Sequence, residues 1–475
     1  MSETTPEKPE KKEQGATEKV QADDLYAVRP ELVQEIRDAL DGGEVERVEE
    51  LVLPLHYADV ADLIEALGAE DRKLLIEIIR PHFEPETLTM LEEHVRAEVI
   101  EQLGTADLAA AIGELETDDA VAVVEHLDDA ARREVLEAVS LEDRRIIEAG
   151  LSWPEDSAGR LMQRELVAVP SFWTVGETID FLRQAAERDS EELPEEFYDI
   201  FVVDPKHKPV GTIPLSRLLR TKRPVKLSDL MTPDMRRVPI EMDQEEVAFL
   251  FRRYDLASAP VVDEAGRLMG VITVDDVLDV IDEEAEEDIM RLGGVVETDL
   301  YRAVLDTTKS RFSWLVVNLG TAIVASIVIG FFEVTIQQIV ALAVLMPIVA
   351  SMGGNAGTQT LTVAVRALAM KELTGSNAAR IVGKEVLVGG INGILFAILM
   401  AIVAWLWFGS AAIGMVIAAA MIINLLVAGL AGVAIPLGLE RTGVDPAVAS
   451  GVFLTTVTDV VGFLAFLGLA ALFLI

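Results

Sequence analysis

The sequence predicts a multidomain chain: a cytosolic all-α superhelical domain, an α/β tandem pair, a connecting helix and an α-helical membrane domain with five spans. Three observations carry this. The 475 residues hold 40 Lys+Arg against 80 Asp+Glu, a net charge of −40, yet the mean hydropathy is +0.34. A soluble protein this acidic does not have positive hydropathy, so charge and apolarity must occupy different parts of the chain. From Arg311 onward six basic and six acidic residues cancel, so the whole −40 lies in residues 1–310, as 34 basic against 74 acidic. The second observation is a series of long apolar stretches after Arg311; the third is a pair of segments before it that align with each other. A single globular domain is excluded, as are a nucleic-acid binder, for want of a basic face, and a disulfide scaffold, since there is no cysteine.

Taken in order, residues 1–23 are too polar to bury a core and predict disorder. Residues 24–153 predict a helical domain. Apolar residues recur at spacings of three and four in Val60-Leu63-Ile64-Leu67 and Leu74-Leu75-Ile78-Ile79. Thr105-Ala106-Asp107 and Thr117-Asp118-Asp119 each open a helix. The pieces ADVADLIEALGAEDRKLL and ADLAAAIGELETDDAVAVV look self-similar, as stacked helix pairs do.

Residues 154–282 hold a clearer repeat. FVVDPKHKPVGTIPLSRLLR (201–220) aligns without gaps to PVVDEAGRLMGVITVDDVLD (260–279), an offset of 59. Upstream, 161–184 aligns to 230–253 at an offset of 69, the difference being ten extra residues around Arg188–Phe197. Each copy reads helix, strand, turn, strand, helix. These residues resemble the CBS-domain pattern, in which two copies pair into one regulatory module.

Residues 283–311 read as a connecting helix and 312–475 as the membrane domain. A spanning helix needs ~20 apolar residues, and five stretches qualify: about 313–332, 338–365, 387–408, 411–437 and 447–474. Basic residues flank them on one side only: Lys309 and Arg311, then Arg366, Lys371, Arg380 and Lys384, then Arg441. The acidic part is therefore expected in the cytoplasm of a cell whose inner membrane the chain crosses, with the C-terminus outside. The polar N-terminus offers no stretch for a secretory leader.

Two places in the spans carry chemistry. In the second, Pro347, Gly353, Gly354, Asn355, Gly357, Thr358 and Gln359 fall within 13 residues. The span reads as broken. Such a stretch is tolerated where it faces protein or a water-filled path. It is either a kink packed by small residues or the lining of a pathway, and its amides and hydroxyls favour the lining. In the fifth, Asp459 is the one ionisable residue deep in any span, beside Thr455, Thr456 and Thr458. A carboxylate there costs ~2.5 kcal/mol or more unless it meets water, a cation or a partner. The spans hold no Lys, Arg or His, so it is either a protonated structural residue or a group whose partner arrives from solution, a cation. All five histidines (His56, His82, His94, His126, His207) precede the spans. Oxygen-only ligands suit a hard ion such as Mg2+ or Ca2+, and Mg2+ keeps most of its waters. Two carboxylates from a symmetric dimer would match a divalent charge.

From Asp275 to Asp288, nine of 14 residues are acidic, repelling at spacings three and four. The run is a solvated face, or a hinge that cations bridge where a gate could feel it.

At this point the chain resembles the MgtE family of magnesium channels and transporters. The resemblance rests on WPEDSAGRLM before the CBS pair, PIVASMGGNAGTQTLTVAVRAL in the second span and DPAVASGVFLTTVTD entering the fifth. It implies a homodimer in the lipid bilayer with a pore lined by the second and fifth spans, including Pro347, Gly354, Asn355, Gly357 and Gln359. The family's pore aspartate falls on Asp459, and its neighbouring ion-site positions fall on Thr455 and on Gly451, which offers no side chain. In the family, cytosolic Mg2+ binds between the domains and closes the pore. The matching acidic positions are Asp243, Glu245, Asp255, Asp276, Asp279, Glu284, Glu287 and Asp288. Asp119 matches in the N-terminal domain, with Val123 where a second acid would stand. The family's CBS pair can also bind ATP. The implied function is Mg2+ influx, with Mg2+ both transported and regulatory. The open alternatives are another divalent ion, Co2+ or Mn2+, and a membrane-anchored Mg2+ or nucleotide sensor without transport. Channel and carrier kinetics are not separated. No enzyme is expected, as no nucleophile–base constellation or Walker A string is present.

Overall fold

The computed structural model describes residues 28–187, 193–194, 196–295 and 304–475. The tail 1–23 and most of the insertion around Arg188–Phe197 lie outside the described residues. The chain divides into two compact units, the first ending at Val277 and the second starting at Leu278.

The described part of the first unit opens with nine α-helices: α1 (Pro30–Gly42), α2 (Val45–Val52), α3 (Tyr57–Ala66), α4 (Ala69–Ile79), α5 (Thr87–Met90), α6 (Glu93–Glu114), α7 (Thr117–Glu125), α8 (Asp129–Ala138) and α9 (Leu141–Leu151). The apolar faces read from spacing meet in one core at Val60, Leu63, Ile64, Leu67, Leu75 and Ile79, joined by Val123 and Val124, whereas Leu74 is 45% exposed and stands outside it. Gly104, at φ +75°, interrupts α6, so Thr105 does begin a new helical segment. The repeat has a polar signature as well. Arg72 donates to the carbonyls of Ile64 and Leu67, Arg132 to those of Val124 and Leu127, and Arg144 to that of Leu136. In each case an arginine near the start of one helix satisfies carbonyls left over at the end of the one before.

Two three-stranded sheets follow. After α10 (Ala158–Leu161) the first copy is β1 (Ala168–Pro170), α11 (Val175–Glu187), β2 (Asp199–Val203), β3 (Pro209–Pro214) and α12 (Leu215–Leu219). After α13 (Leu227–Leu230) the second is β4 (Val238–Pro239), α14 (Gln244–Tyr254), β5 (Ser258–Val262), β6 (Leu268–Thr273) and α15 (Val274–Gly293). In both, the first strand runs parallel to the second and the third antiparallel to it. The offset of 59 maps β2 onto β5 and β3 onto β6, and each pair carries a register shift at the same place, Val202/Val203 and Val261/Val262.

The expected connecting helix 283–311 is not one described element. Its first part is the end of α15, which stops at Gly293 before Gly294 at φ +71°. Residues 296–303 lie outside the described ones, and α16 begins at Val304.

The second unit contains α16 (Val304–Gly330), the short α17 (Glu333–Gln338), α18 (Ala341–Ala369), α19 (Ala378–Phe408), α20 (Ala411–Thr442) and α21 (Pro446–Phe473). Among the described residues five helices are long and apolar enough to cross a membrane, over Thr307–Gly330, Ala341–Ala369, Ala378–Phe408, Ala411–Thr442 and Ser450–Phe473. The third starts nine residues before the apolar stretch, because the helix continues through Arg380, Lys384 and Glu385.

One expectation is corrected: the second span is unbroken. α18 runs through Pro347, Gly353, Gly354 and Gly357. Pro347 sits in the second turn, so few backbone bonds are lost, and Gly353 and Gly357 are held by neighbouring helices.

Several glycines of this unit mark close approaches between helices. A methyl group on Gly389 would lie 2.5 Å from the Leu425 carbonyl oxygen, and one on Gly429 2.7 Å from that of Glu385. Backbone cannot swing aside. Gly389→Val and Gly429→Val are each expected to destabilise the detergent-solubilised protein by about 2 kcal/mol. Gly354→Ala, with nothing within 4 Å of the new atom, should leave the thermal midpoint unchanged. Equal midpoints for all three would contradict the packing described.

Candidate functional site

In α21, Gly451, Thr455 and Asp459 follow at a spacing of four, one face of a helix. Thr455 is exposed in the single chain, and Gly451 and Asp459 are half-buried. The Thr455 hydroxyl donates to the Gly451 carbonyl at 3.0 Å, and that of Thr456 to Val452 at 2.7 Å. Thr458 is buried and donates to Leu454, so its hydroxyl belongs to the packed side. Among the described residues no hydrogen bond or ion pair reaches the Asp459 carboxylate.

In α18, Pro347, Ser351, Asn355, Thr358, Gln359 and Thr362 are exposed, at spacings of three and four. They form one polar face on an otherwise apolar helix. The glycines divide by role. Gly354 is half-buried next to that face, whereas Gly353 and Gly357 are buried. A methyl group on Gly357 would meet Leu454 at 2.9 Å. Gly357 therefore stands at the crossing of α18 on α21.

A second crossing involves a residue that charge-based reading of the spans passes over. Asn424 of α20 is fully buried, and its Nδ2 donates to the Val349 carbonyl at 2.8 Å. Added methyl groups on Gly353 and Gly462 would both collide with that nitrogen, the latter at 2.8 Å. Asn424 thus fills a slot between a glycine of α18 and a glycine of α21. Its Oδ1 has no hydrogen-bond partner among the described residues. A lone asparagine in MIINLLVAGL is the available signal. Along α21, Asp459 lies between the contacts at Leu454 and Gly462, so the one deep carboxylate is bracketed by two tight crossings.

The acidic positions of the first unit form a separate group. Asp118, at the start of α7, is 8% exposed, and its Oδ1 accepts the Asp119 N–H. Burial, followed by the charges of Asp276, Asp119 and Glu116, pushes its carboxyl well above the usual range. Glu116 keeps one edge in solvent and accepts from Gln163 Nε2 at 3.1 Å. Crowding by protein, then Glu165, Asp276 and Asp119, push it up to about 7. Thr117 donates its hydroxyl and its N–H to Glu165. Asp119 and Asp276, far apart in sequence, therefore influence the same buried carboxyl. In sequence Asp118 reads only as a helix-opening residue and Glu116 as the residue before it, because a cap and a crowded acid look alike there.

The remaining acids are dispersed. Asp243 caps α14 and accepts the Glu245 N–H at 2.9 Å, while Asp255 ends that helix at φ +49°. Asp276 accepts both the N–H and the hydroxyl of Thr273 at the start of α15. Asp279 is exposed, and Glu284, Glu287 and Asp288 are half-buried. Glu287 pairs with Arg291. Among the described residues no three His, Asp or Glu side chains converge closely enough to hold a metal ion. Donor chemistry, hard oxygen crowded by negative charge at Asp118, does fit a hard cation.

The pH dependence follows from the sign of these shifts. A carboxyl whose folded pKa is raised contributes stability that is fully present below its unfolded value, 4.5 for Glu116, and is lost as pH rises through about 7. In Mg2+-free buffer the thermal midpoint of the first unit, followed in the intact chain, should fall from about pH 6 to about pH 8. Glu116→Gln should flatten that fall; an undiminished slope in the variant would count against Glu116.

Comparison with known proteins adds the following. Residues 346–469 match a family model described as divalent cation transporter, residues 55–156 the MgtE intracellular N domain, and residues 227–283 the CBS domain. The chain is 36% identical over 461 residues to the magnesium transporter MgtE of Thermus thermophilus, covering 93% of this chain and 98% of that protein. It is 32% identical to the magnesium transporter MgtE of Bacillus subtilis, over 71% and 74% of the two chains. Among solved structures, the cytosolic domain of the Mg2+ channel MgtE in complex with ATP is similar at 33% identity and a TM-score of 0.48, over 52% of this chain and 99% of that one.

Proposed function

The chain belongs to the MgtE family of divalent cation transporters, and on that premise we propose that it carries Mg2+ into the cell and is closed by cytosolic Mg2+. The observation that carries the proposal is Asp459: the one carboxylate deep in the spans, half-buried, unpaired among the described residues and bracketed by two glycine-tight crossings. Mg2+ is the substrate there. In a homodimer, two such carboxylates and the polar faces of α18 and α21 line the path, with Thr455 and the Gly451 carbonyl toward the cytoplasmic end. A hydrated ion suits this lining, since one carboxylate per subunit cannot replace six waters. The membrane potential drives entry at ~2.3 kcal/mol per charge per 100 mV, doubled for a divalent ion, so no coupled reaction is needed.

The first unit lies in the cytoplasm and the C-terminus outside, as the flanking basic residues indicate. In that unit Asp118, Asp119, Glu116 and Asp276 are the acids that a regulatory cation would hold together, with Asp243, Glu245 and Asp255 as further positions, and Asp279, Glu284, Glu287 and Asp288 continue the acidic run of α15 beyond it. Without the ion their charges repel; with it the acidic elements draw together and the pore shuts. The CBS pair offers a nucleotide site, in keeping with the family resemblance.

The test is flux in proteoliposomes loaded with a Mg2+-sensitive dye, with Mn2+, Co2+ and Ca2+ as competitors, alongside patch recording at varied cytosolic Mg2+. Mg2+ entry that rises with inside-negative potential is the expected result. Absence of Mg2+ flux where Co2+ or Mn2+ passes would reassign the substrate.

A further inference from the structure

The last turns of α15 hold a contact that the reading above does not use. Arg291 is the only basic residue in this helix, which carries nine acids between 275 and 288. Its guanidinium pairs with Glu287 one turn back and with the Asp445 Oδ2 at 2.5 Å, 154 residues further along. Asp445 is the N-cap of α21, and its other oxygen accepts the Ala447 N–H at 2.7 Å. One carboxylate therefore ties together the start of α21 and the end of α15. The pair is about one-third exposed on each side, and an arginine held by two carboxylates keeps its geometry better than a solvated surface pair.

Two neighbours show that this end of α15 is seated. Gly294, just past the helix, lies against the Trp314 indole of α16, so closely that a methyl group there would collide with the ring. Asp288 is pushed up by burial and by the charges of Asp445 and Glu284. The joint thus balances one cation against several acids. From Asp445 a continuous helix leads to Asp459, 14 residues or about 21 Å away. A helix transmits displacement at its cap along its axis, so movement at this joint reaches the carboxylate in the span.

We propose that Arg291 is a positioning residue that couples the acidic helix α15 to the pore helix α21, by holding the N-cap Asp445. This rests on the reading of the chain as a Mg2+ pathway closed by cytosolic Mg2+. It adds the residue through which the acidic helix acts on the helix of Asp459.

The experiment is patch recording of the full chain while cytosolic Mg2+ is varied, with Arg291→Gln, Asp445→Asn and the double variant. Asparagine keeps the helix cap while removing the charge, so Asp445→Asn carries the same prediction if Arg291→Gln folds poorly. Each single variant is expected to reduce the ratio of open probability between low and high Mg2+ roughly fivefold, with single-channel conductance unchanged. The double variant should be no worse than either, because both remove one contact. Arg291→Lys should restore part of the response. A merely structural role would lower protein yield without altering the Mg2+ response of the channels that remain. A graded wild-type response that both single variants retain within twofold overturns the coupling alone. A wild type that conducts Mg2+ without responding to cytosolic Mg2+ overturns the gating reading, and the coupling with it.

Discussion

Replacing Asp459 by alanine is expected to reduce Mg2+ entry into proteoliposomes at least a hundredfold while the protein stays folded. The size follows from Coulomb's law. A divalent ion about 5 Å from one carboxylate gains about 7 kcal/mol at an effective dielectric constant of ~20. Loss of even half of that exceeds the roughly 2.7 kcal/mol that a factor of a hundred requires. The retained fold follows from the environment. No hydrogen bond or ion pair to Asp459 is lost among the described residues, and a deep carboxylate is itself costly. The thermal midpoint should therefore hold or rise. Asp459→Asn separates charge from volume and should lose flux nearly as completely. If the asparagine variant passed Mg2+ at the wild-type rate, the carboxylate would have no part in permeation.

The broad architecture is legible in the sequence because it depends on quantities that sum along the chain. A charge of −40 confined to 1–310 and apolar stretches confined to the rest separate a water-exposed part from a membrane part, whatever the details. The tandem repeat is legible because aligned β-branched segments fold alike, and the offset of 59 reappears in the strands. Local detail is less legible. Pro347 and the glycines of α18 read as a break, yet a glycine is ambiguous in sequence. Gly357 meets Leu454 and Gly353 meets Asn424, so these glycines serve crossings with neighbouring helices while the helix continues through them. Only the identity of the facing residue decides between a kink and a packed crossing.

The candidate site is legible in part, for a related reason. Asp459 is visible because an isolated charge in hydrocarbon is conspicuous against its surroundings. Asn424, buried and polar, carries no charge and gives no such contrast. Among the acids that precede the spans, charge density points to 275–288, but density says nothing of burial. Asp118 is hidden where most of the run is not, and the carboxyl most crowded by its neighbours is one that sequence reads as a helix opening. Arg291 is a single base in an acidic helix, and its meaning depends on a partner 154 residues away.

Neutralising Asp276, Asp279, Glu284 and Glu287 together, as D276N/D279N/E284Q/E287Q, is expected to raise the cytosolic Mg2+ needed for closure about tenfold or more. Repulsion among the acids of α15 at spacings three and four costs ~0.2–0.5 kcal/mol per pair and extends over about 8 Å at physiological ionic strength. It is therefore a collective force, and a bridging divalent ion relieves several pairs at once. With four carboxylates removed, the ion has fewer oxygens to hold and fewer repelling pairs to relieve on binding, so it binds more weakly and more Mg2+ is needed for closure. The substitutions are chosen to spare the fold. The amide oxygen of an asparagine at position 276 can still accept from the Thr273 hydroxyl that Asp276 engages at 2.7 Å, and Asp279 is exposed. Glu287 pairs with Arg291, and glutamine there leaves the Asp445 contact in place, which separates this experiment from the loss of Arg291. Protease protection of the first unit by Mg2+ offers a readout independent of flux. Protection at wild-type Mg2+ concentrations in the quadruple variant would remove α15 from the sensor and leave the acids around Asp118 as its remaining seat.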